Sequence, residues 1–342
     1  MKRVIIIGGG FAGSYLAKSL EKEFNVTLFD TKDYFEFTPS VLHTIVDPKH
    51  LKKIQVLHSH YLHHAKLIRE PIIDVTKEHV LAKKEYTYDY LVICSGSSYA
   101  TPIKESNIVI AHRGNELRDY AARCKKASKV LIIGGGVVGV ELAGEIIEAY
   151  PHKEVIIVHS RSELLTRSSK KAGEYAEDLL KKKGVTIRFN EKIIRQEGNT
   201  FFTSNDECLN VDLAFMCVGI TPNYHSMKKS CSTSLNERNF VCVNPYLQVQ
   251  GFDNVFAAGD ITNIKEEKTA QGAEKQAEIV RRNICNLEKS RSLEKYVSVS
   301  RPMVISIGDN KGMLLWGNYV LTGWLPSLLK KFIEWKTMRR YR

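Results

Sequence analysis

Two segments of this chain share one local pattern, in which an apolar run leads into three glycines with GxGxxG spacing and then into a segment with one apolar helical face. The glycines of the two copies are Gly8, Gly10 and Gly13, followed by Gly134, Gly136 and Gly139. The first glycine of such a set permits a tight turn, the second lets backbone N–H groups approach a pyrophosphate, and the third lets helix and strand pack closely. The sequence therefore predicts an α/β fold with two Rossmann-like dinucleotide-binding domains.

The first copy continues into a second apolar run, residues 26–29, which ends at Asp30. An acid at the end of this strand accepts hydrogen bonds from an adenosine ribose, while the helix after the glycines directs its positive end toward the phosphates. We therefore assign Asp30 to a dinucleotide site, together with its neighbours Phe11, Ala12 and Lys32.

Two later segments indicate that this first dinucleotide is FAD. One apolar run ends at Ser95 and Gly96, and another ends at Gly259 and Asp260, whose carboxylate suits hydrogen bonds from the ribityl hydroxyls. A helix is expected next, running to about residue 287, and its N-terminal dipole would face the flavin ring. The residues that open this helix, also assigned to FAD, are Thr269, Ala270 and Gln271.

The second copy differs at its strand end, where residues 155–158 run into His159, Ser160 and Arg161 instead of an acid. Nothing in this sequence repels a 2′-phosphate, so we expect this site to accept NADPH as well as NADH. The alternative, that Arg161 is only a solvated surface charge, stays open. The other residues assigned to NAD(P)H are Val137, Val138 and Gly219.

Composition limits the remaining possibilities. The 342 residues carry a net charge of +12 and are 43% hydrophobic, which fits a folded multi-domain chain and excludes a disordered one. The 7 cysteines form no CxxC pair, which excludes a redox-active dithiol and a zinc ribbon. No apolar run reaches the roughly 18 residues of a spanning helix, so we expect a cytoplasmic protein with at most peripheral membrane contact. We expect the histidines from His58 to His64 on an exposed helix or loop, with no metal, and we expect no nucleic-acid binding.

Four motifs together resemble the two-dinucleotide-binding flavoproteins, the glutathione-reductase-like pyridine nucleotide oxidoreductases, over about residues 1–295. The motifs are GGGFAG, GGGVVGVE, FMCVG and AAGD. Within that family, DYFEFTPSVL and TAQGA resemble type II NADH dehydrogenases, whereas EAYPHKEVIIVHS and WKTMR resemble the ferroptosis suppressor and apoptosis-inducing-factor-like proteins. The resemblance implies an NAD(P)H:quinone oxidoreductase that passes electrons from NAD(P)H to FAD and from FAD to a quinone.

The resemblance also implies two catalytic residues. Glu141 matches a glutamate near the nicotinamide and the flavin, and Lys336 matches a lysine that reaches the flavin, so we expect an ion pair between them. A helix-terminal carboxylate and an ordinary tail charge are the alternatives. Pro39 is assigned to the flavin site and, with Phe37, to the quinone side of the ring, although Phe37 suits the core equally well. The AQxAxQ run places Gln276 one residue late, so we do not assign it to the quinone.

The last segment has its own pattern. Two strand-like runs, residues 303–307 and 313–321, precede a helix with one apolar face formed by Leu325, Leu328, Leu329, Phe332 and Ile333. Six basic residues and one acid lie on or beside this helix, and Trp324 and Trp335 flank it, which suits the surface of an anionic membrane. Packing on the flavin domain or on a homodimer partner is the alternative.

We therefore predict an FAD domain from residues 1–110 and 240–296, an NAD(P)H domain from residues 111–239, and a C-terminal module from residues 297–342. Residues 38–46 contain no cysteine, so electrons are expected to pass directly from the flavin to the acceptor. The alternatives to a quinone reductase are a reductase of a soluble acceptor, such as a ferredoxin-type protein or monodehydroascorbate, and a redox-sensing interaction protein.

Overall fold

The computed structural model describes residues 1–98 and 113–342. The expected boundary between residues 110 and 111 lies outside them. The first segment has 3₁₀-helices at Thr38–Ile45 and Pro48–His50, and its other elements are β1 (Arg3–Ile7), α1 (Phe11–Leu20), β2 (Asn25–Phe29), β3 (Tyr34–Glu36), α2 (Leu51–Ile54), β4 (Gln55–Leu57), α3 (His58–Tyr61), β5 (Lys66–Ile68), β6 (Asp74–Val75), β7 (His79–Leu81), β8 (Glu85–Thr87), β9 (Tyr90–Ile93) and β10 (Ser97–Ser98).

The second glycine pattern builds a second unit. Its elements are α4 (Arg113–Lys126), β11 (Lys129–Ile133), α5 (Val137–Ala149), β12 (Glu154–Val158), α6 (Lys170–Lys182), β13 (Thr186–Arg188), β14 (Ile193–Glu197), β15 (Thr200–Thr203), β16 (Cys208–Asn210) and β17 (Leu213–Met216). β18 (Thr221–Pro222) and the 3₁₀-helices at His225–Met227 and Ser232–Ser234 follow, and Met227 and Cys231 are buried in the core of the first unit. Four parallel strands form its main sheet, in the order β13-β12-β11-β17, and β14-β15-β16 form an antiparallel sheet beside it.

The remaining elements are β19 (Val255–Ala257), α7 (Ala270–Glu288), β20 (Met303–Ser306), β21 (Gly312–Trp316), β22 (Tyr319–Gly323) and α8 (Trp324–Tyr341). Strand β19 returns to the first unit and completes a parallel sheet with the order β19-β9-β1-β2-β5. The first unit is therefore discontinuous in sequence, and helices α1 and α7 pack on each other beside its sheet.

Apolar runs fill the centre of both parallel sheets, as expected for strands covered on both faces. Val4 and Ile6 of β1 are fully buried, and so are Val130 and Leu131 of β11. The prediction of an α/β chain with two Rossmann-like units is confirmed.

Two short strands connect the units. Ser97 and Ser98 of β10 pair antiparallel with Thr221 and Pro222 of β18, so the two crossings between the units lie side by side. Asn223 reinforces this link, because its side-chain amide donates to the Ser95 main-chain carbonyl at 2.8 Å and its main-chain carbonyl accepts from the Ser95 hydroxyl at 2.8 Å.

The C-terminal module corrects one detail of the sequence analysis. The run 313–321 is not one strand: it turns back at residues 317 and 318, so that β20, β21 and β22 form a three-stranded antiparallel sheet. Gly317 has φ +55°, which suits the first position of a two-residue hairpin loop. Among the described residues, no helix has the length and hydropathy needed to cross a membrane.

Candidate active site

We call the two GxGxxG patterns, which start at Gly8 and Gly134, the first and the second fingerprint. The first glycine of each fingerprint adopts a backbone conformation that favours glycine. Gly8 has φ +100° and Gly134 has φ +115°. A Cβ atom would lie 2.3 Å from the Cys94 carbonyl oxygen in the first case and 2.6 Å from the Cys217 carbonyl oxygen in the second. Both turns therefore exclude any other residue at this position.

The other two glycines of each fingerprint differ in the space around them, in the way that a dinucleotide site requires. A Cβ on Gly13 would lie 1.8 Å from the Gly8 carbonyl oxygen, and a Cβ on Gly139 would lie 1.9 Å from that of Gly134, so each helix packs tightly against its own turn. By contrast, no atom lies within 4 Å of a Cβ built on Gly10 or Gly136. Both turns leave this space where a pyrophosphate approaches the helix N-terminus, so the residues fit two dinucleotides.

The strand-end side chains play matching roles in the two units. The Gly9 amide donates to Asp30 Oδ2 at 2.8 Å, and the Gly135 amide donates to His159 Nδ1 at 3.1 Å. The imidazole therefore occupies the place of the acid and carries its proton on Nε2 when it is neutral. This Nε2 is buried, and the Glu163 main chain lies within hydrogen-bonding reach of the ring.

Electrostatics separate the two strand ends further. Burial raises the pKa of Asp30, but the hydrogen bond with His58 and the charge of Lys32 outweigh burial and lower it, so this carboxylate is ionised. Burial and the nearby Arg161 charge both lower the pKa of His159, so the imidazole is neutral at pH 7. A neutral donor neither repels nor neutralises a 2′-phosphate.

A cavity of about 890 Å³ lies beside the second fingerprint. The residues assigned from sequence that line it are Gly134, Gly136, Val137, Val138, His159, Ser160, Gly219 and Thr269. Gly139 packs beneath the turn instead, and Arg161 is an exposed residue outside the lining. The cavity reaches from the glycine turn to the loop before α7 and to Met303 of the C-terminal module, so it opens toward the first unit.

On the flavin side, the segments after β9 and β19 meet. Asp260 accepts a hydrogen bond from the Ser97 hydroxyl at 2.7 Å, and Gly259 has φ +87°. A Cβ on Gly259 would lie 3.5 Å from the Cβ of Ala273 and 3.8 Å from that of Ala12, so this turn lies where α7 and α1 converge. Gly96, with φ +66° and open space around it, follows Ser95 at the crossing between the units.

The start of α7 is held by side chains. The Thr269 hydroxyl accepts from the Gly272 amide at 3.1 Å, and Gly259 donates its amide to Gln276 Oε1 at 2.7 Å. Gln276 is 1% exposed and so connects α7 to the turn before Asp260. Gln271 is exposed at the helix N-terminus, next to the half-buried Ala270.

The remaining residues assigned to FAD lie between β2 and the first 3₁₀-helix. Lys32 is half-buried, with Nζ 5.6 Å from the centre of the Tyr34 ring, and Pro39 is half-buried in the first turn of that helix. Phe37 is 2% exposed and packs against Phe11 with ring centres 5.7 Å apart. Phe37 is therefore a core residue.

The expected ion pair between Glu141 and Lys336 is wrong. Lys330 Nζ donates to Glu141 Oε1 at 2.6 Å, while Lys336 is exposed. The Ser306 amide also donates to Glu141 Oε1 at 3.0 Å, and its hydroxyl accepts from Lys330 at 2.9 Å. Lys330 lies more than one helical turn before Lys336, on the face of α8 that packs against β20 and α5.

This contact makes Glu141 an unusual carboxyl group. The residue is 6% exposed, and burial raises its pKa above the usual range, although Lys330 and the Ser306 amide oppose the shift. Sequence reasoning missed Lys330 and Ser306 because they lie far from Glu141 along the chain. Only the recurrence of polar residues on one face of α8 could have indicated a partner.

Helix α8 also contacts the first unit. Tyr341 is 1% exposed and packs against Phe35 with ring centres 4.3 Å apart and against Tyr61 with ring centres 4.8 Å apart. Arg340 forms a salt bridge with Glu274 of α7 at 3.0 Å. The last helix therefore packs on both units.

Three of the six basic residues of this segment lie beside acidic side chains. Lys330 is paired with Glu141, Lys331 lies 3.4 Å from Asp309, and Arg340 is paired. The opposite face is apolar and exposed. The most exposed large side chains of the C-terminal module, from 48% to 80% exposed, are Trp324, Leu325, Leu328, Phe332 and Trp335 of α8 and Trp316, Tyr319 and Leu321 of β21 and β22.

The two cysteines that directly follow β9 and β17 are not available for chemistry. Cys94 and Cys217 are buried, and burial raises the pKa of both thiols, that of Cys217 to about 12. Neither thiol is therefore a reactive thiolate at neutral pH.

Comparison with known proteins agrees with this geometry. The family model described as "Pyridine nucleotide-disulphide oxidoreductase" matches residues 2–277. Apoptosis-inducing factor homolog A of Dictyostelium discoideum is 33% identical, over 91% of this chain and 84% of its own. Ferroptosis suppressor protein 1 of Xenopus laevis is 29% identical, over 98% of this chain and 96% of its own.

Solved structures share the fold at lower sequence identity. The structure of NDH2 from Plasmodium falciparum in complex with NADH superposes with a TM-score of 0.86, at 15% identity, over 99% of this chain and 96% of its own. The sulfide:quinone oxidoreductase of Aquifex aeolicus gives a TM-score of 0.83 at 18% identity, over 100% of this chain and 92% of its own. With two glycine turns that fit dinucleotides and a family match over most of its length, the chain belongs to the pyridine nucleotide-disulphide oxidoreductase family and is an NAD(P)H-dependent flavoprotein oxidoreductase.

Proposed function

We propose that this flavoprotein is an NAD(P)H:quinone oxidoreductase that works at a membrane surface. The observation that carries the proposal is the Glu141–Lys330 contact, because it ties the nucleotide-binding helix α5 to a helix whose outer face is apolar and exposed. Quinones are apolar molecules of the membrane. An apolar entrance fixed to the nucleotide-binding unit suits such an acceptor better than a polar one.

The overall reaction is NAD(P)H + H⁺ + quinone → NAD(P)⁺ + quinol. Bound FAD supplies the two-electron chemistry between the two substrates. The residues of this chain bind and orient: Gly10 and Gly136 admit the two pyrophosphates, and the N-termini of α1 and α5 stabilise their negative charge. In this proposal Glu141 Oε1 and Lys330 Nζ hold a proton in a buried site, where the quinone needs one.

The membrane part of the proposal rests on apolar side chains more than on charge. Trp324, Leu328 and Phe332 are each more than half exposed and recur on one face of α8 at helical spacing. Tryptophan and leucine side chains on an interfacial helix insert at the boundary between headgroups and acyl chains. Lys336 and Arg339 are exposed basic residues on the same helix, so anionic lipid would strengthen the contact.

We also propose that NADPH is accepted alongside NADH. The strand end at His159 carries no carboxylate, and Ser160 lines the cavity beside it. In this proposal the exposed Arg161, two residues after His159, pairs with the 2′-phosphate.

Steady-state oxidation of NADH by the flavin-loaded protein tests the proposed acceptor. We expect a short-chain ubiquinone to be reduced with a higher kcat/KM than ferricyanide or cytochrome c. Turnover with cytochrome c or a ferredoxin-type protein but not with ubiquinone would contradict the proposal and favour a soluble acceptor. Slow turnover with every acceptor would favour a redox-sensing interaction protein.

A further inference from the structure

A second cluster of chemically active side chains lies outside the site described above. His43 is in the 3₁₀-helix Thr38–Ile45, Asp47 caps the next 3₁₀-helix, and His50 ends it. One ligand atom from each of the three residues lies within 4.8 Å of the others, and all three residues are half-buried. The sequence pattern predicts no metal site, and the histidines on which this prediction is based are those from His58 to His64, not these.

Each histidine is held by a carboxylate from another part of the fold. His43 Nδ1 lies 2.8 Å from Glu145 Oε2 of α5, and His50 Nε2 lies 3.0 Å from Glu334 Oε2 of α8. These bonds leave Nε2 of His43 and Nδ1 of His50 for another partner. A carboxylate that takes one imidazole N–H and orients the ring is the usual neighbour of a histidine that binds a metal.

The two rings and the aspartate face one another. The imidazole centres are 4.8 Å apart with their planes at 77°. Asp47 Oδ1 accepts from the Lys49 amide at 3.1 Å, and among the described residues its other oxygen has no hydrogen-bond partner.

We propose that His43, Asp47 and His50 bind a divalent transition-metal ion of the Zn²⁺ type, through two imidazole nitrogens and one carboxylate. This donor set prefers Zn²⁺ and its transition-metal neighbours to Mg²⁺ or Ca²⁺, which prefer oxygen ligands. Tetrahedral ligands about 2.0–2.1 Å from Zn²⁺ lie about 3.4 Å apart, so rotation of the side chains must close separations of up to 4.8 Å by at most about 1.4 Å. Water fills the fourth position.

Such an ion would join three elements of the fold. Glu145 lies one helical turn after Glu141 on α5, and Glu334 lies one turn after Lys330 on α8. The metal and its carboxylates would therefore form a second link between α5, α8 and the 3₁₀ segment, next to the first. Because the ion binds the folded protein, it should raise the melting temperature.

Competition between the flavin-loaded full-length protein and a chromogenic chelator for Zn²⁺ tests this site. We expect one equivalent of Zn²⁺ to bind and excess Mg²⁺ or Ca²⁺ not to displace it. His43→Gln, His50→Gln and Asp47→Asn should each weaken Zn²⁺ binding at least about tenfold, and Glu145→Gln should weaken it about 10- to 100-fold. Asp47→Asn keeps the helix cap, because asparagine caps as well as aspartate, so this variant tests the ligand without loss of the fold.

The matched control is the double variant His63→Gln/His64→Gln, because both histidines are exposed and lie outside the cluster. This variant should bind Zn²⁺ as the wild type does. The proposal is overturned by the absence of Zn²⁺ binding, by unchanged affinity in any of the three ligand variants, or by loss of binding in the control. Melting curves recorded without metal show whether each variant is folded.

Discussion

At the scale of single residues, Glu141 has the environment that most depends on one neighbour. Its carboxylate is buried, and its partners are the Lys330 ammonium and the Ser306 amide. Removal of Lys330 would leave a buried carboxylate with one neutral donor, and breaking such a pair costs about 3–5 kcal/mol when the charge stays. Without Lys330, the pKa of Glu141 would instead rise further, because burial already raises it and the opposing charge is gone. The carboxyl group would then be protonated at a higher pH than in the wild type.

Lys330→Met should therefore lower kcat with a water-soluble ubiquinone at least about tenfold, because the pair can no longer exchange a proton with the acceptor. The measurement is steady-state turnover, with the flavin content of each variant determined from its absorbance. Lys336→Met is the matched control, since Lys336 is exposed on the same helix, and it should keep the wild-type rate. Equal losses in the two variants would contradict the assignment.

His159→Asp should convert the second strand end into a copy of the first. A carboxylate at this position would accept from the Gly135 amide as Asp30 does from Gly9, and it would repel a 2′-phosphate. We expect the ratio of kcat/KM for NADPH to that for NADH to fall at least about tenfold, which corresponds to about 1.4 kcal/mol.

The control for this change is His152→Asp, an identical substitution at an exposed position before β12. It should leave the ratio unchanged. A wild-type protein that does not use NADPH at all would show that the imidazole does not admit the phosphate.

Single residues also show what the sequence could predict. Gly8, Gly13, Gly134 and Gly139 were predictable because only glycine fits at these positions, and a Cβ on Gly13 or Gly139 would lie within 2 Å of a carbonyl oxygen. The pairing of Lys330 with Glu141 was not predictable, because the choice between two lysines of one helix depends on the rotation of that helix about its axis. Sequence similarity in the tail favoured Lys336, and the packing of α8 selects Lys330 instead.

At the scale of elements, α8 packs with its polar face inward and its apolar face outward, the reverse of the usual amphipathic helix. Its inner face carries Lys330, Glu334 and Tyr341, each with a specific partner on another element. Its outer face carries large apolar side chains, whereas an ordinary surface helix buries that face. Predicting an apolar face from periodicity was correct for Leu325, Leu328 and Phe332, but periodicity alone does not show which face is buried.

The outer face of α8 should determine lipid binding. The triple variant Trp324→Ser/Leu328→Ser/Phe332→Ser should lose most of its binding to vesicles of mixed zwitterionic and anionic lipid, because burial of apolar area supplies most of the free energy. Co-sedimentation with vesicles measures this. High salt should weaken wild-type binding only partly, since only the exposed basic residues are screened.

The control for the triple variant is Ile194→Ser, which removes an exposed apolar side chain, 64% exposed, from β14. It should sediment with vesicles as the wild type does. A triple variant that binds as tightly as the wild type would remove α8 from the proposed membrane surface.

Short elements carried signals that periodicity does not capture. The turn at Gly317 was present in the sequence as a Gly-Asn pair between apolar residues, and such a pair is typical of a two-residue hairpin loop. The spacing of His43, Asp47 and His50 also places one side chain per helical turn. Neither signal separates a site from an ordinary loop until α5 and α8 supply the carboxylates.

At the scale of the whole molecule, the C-terminal helix joins the two dinucleotide-binding units. It contacts the second unit through Lys330 and the first through Tyr341, whose ring lies between Phe35 and Tyr61. The architecture of two Rossmann-like units was predictable from sequence, because two identical local patterns specify it. The path of the last helix was not, since it depends on contacts between residues hundreds of positions apart.

Tyr341→Ala should destabilise the protein by about 3 kcal/mol, because it removes a large aromatic ring that is 1% exposed. Urea denaturation followed by circular dichroism measures the change in the free energy of unfolding. Tyr319→Ala is the matched control: this tyrosine is 80% exposed, and its loss should change stability by no more than about 0.5 kcal/mol. An equally small effect at position 341 would mean that the helix end does not dock in solution.

Helix α5 begins at the glycine turn of the second fingerprint and reaches α8 through its fifth residue, Glu141. The site of the nucleotide phosphates and the apolar surface are therefore connected through α5, the Glu141–Lys330 contact and α8. If NADH alters the affinity of this protein for lipid by some factor, thermodynamic reciprocity requires lipid to alter the affinity for NADH by the same factor. Binding of the protein to the bilayer and binding of NADH to the protein would then be two measures of one coupled equilibrium.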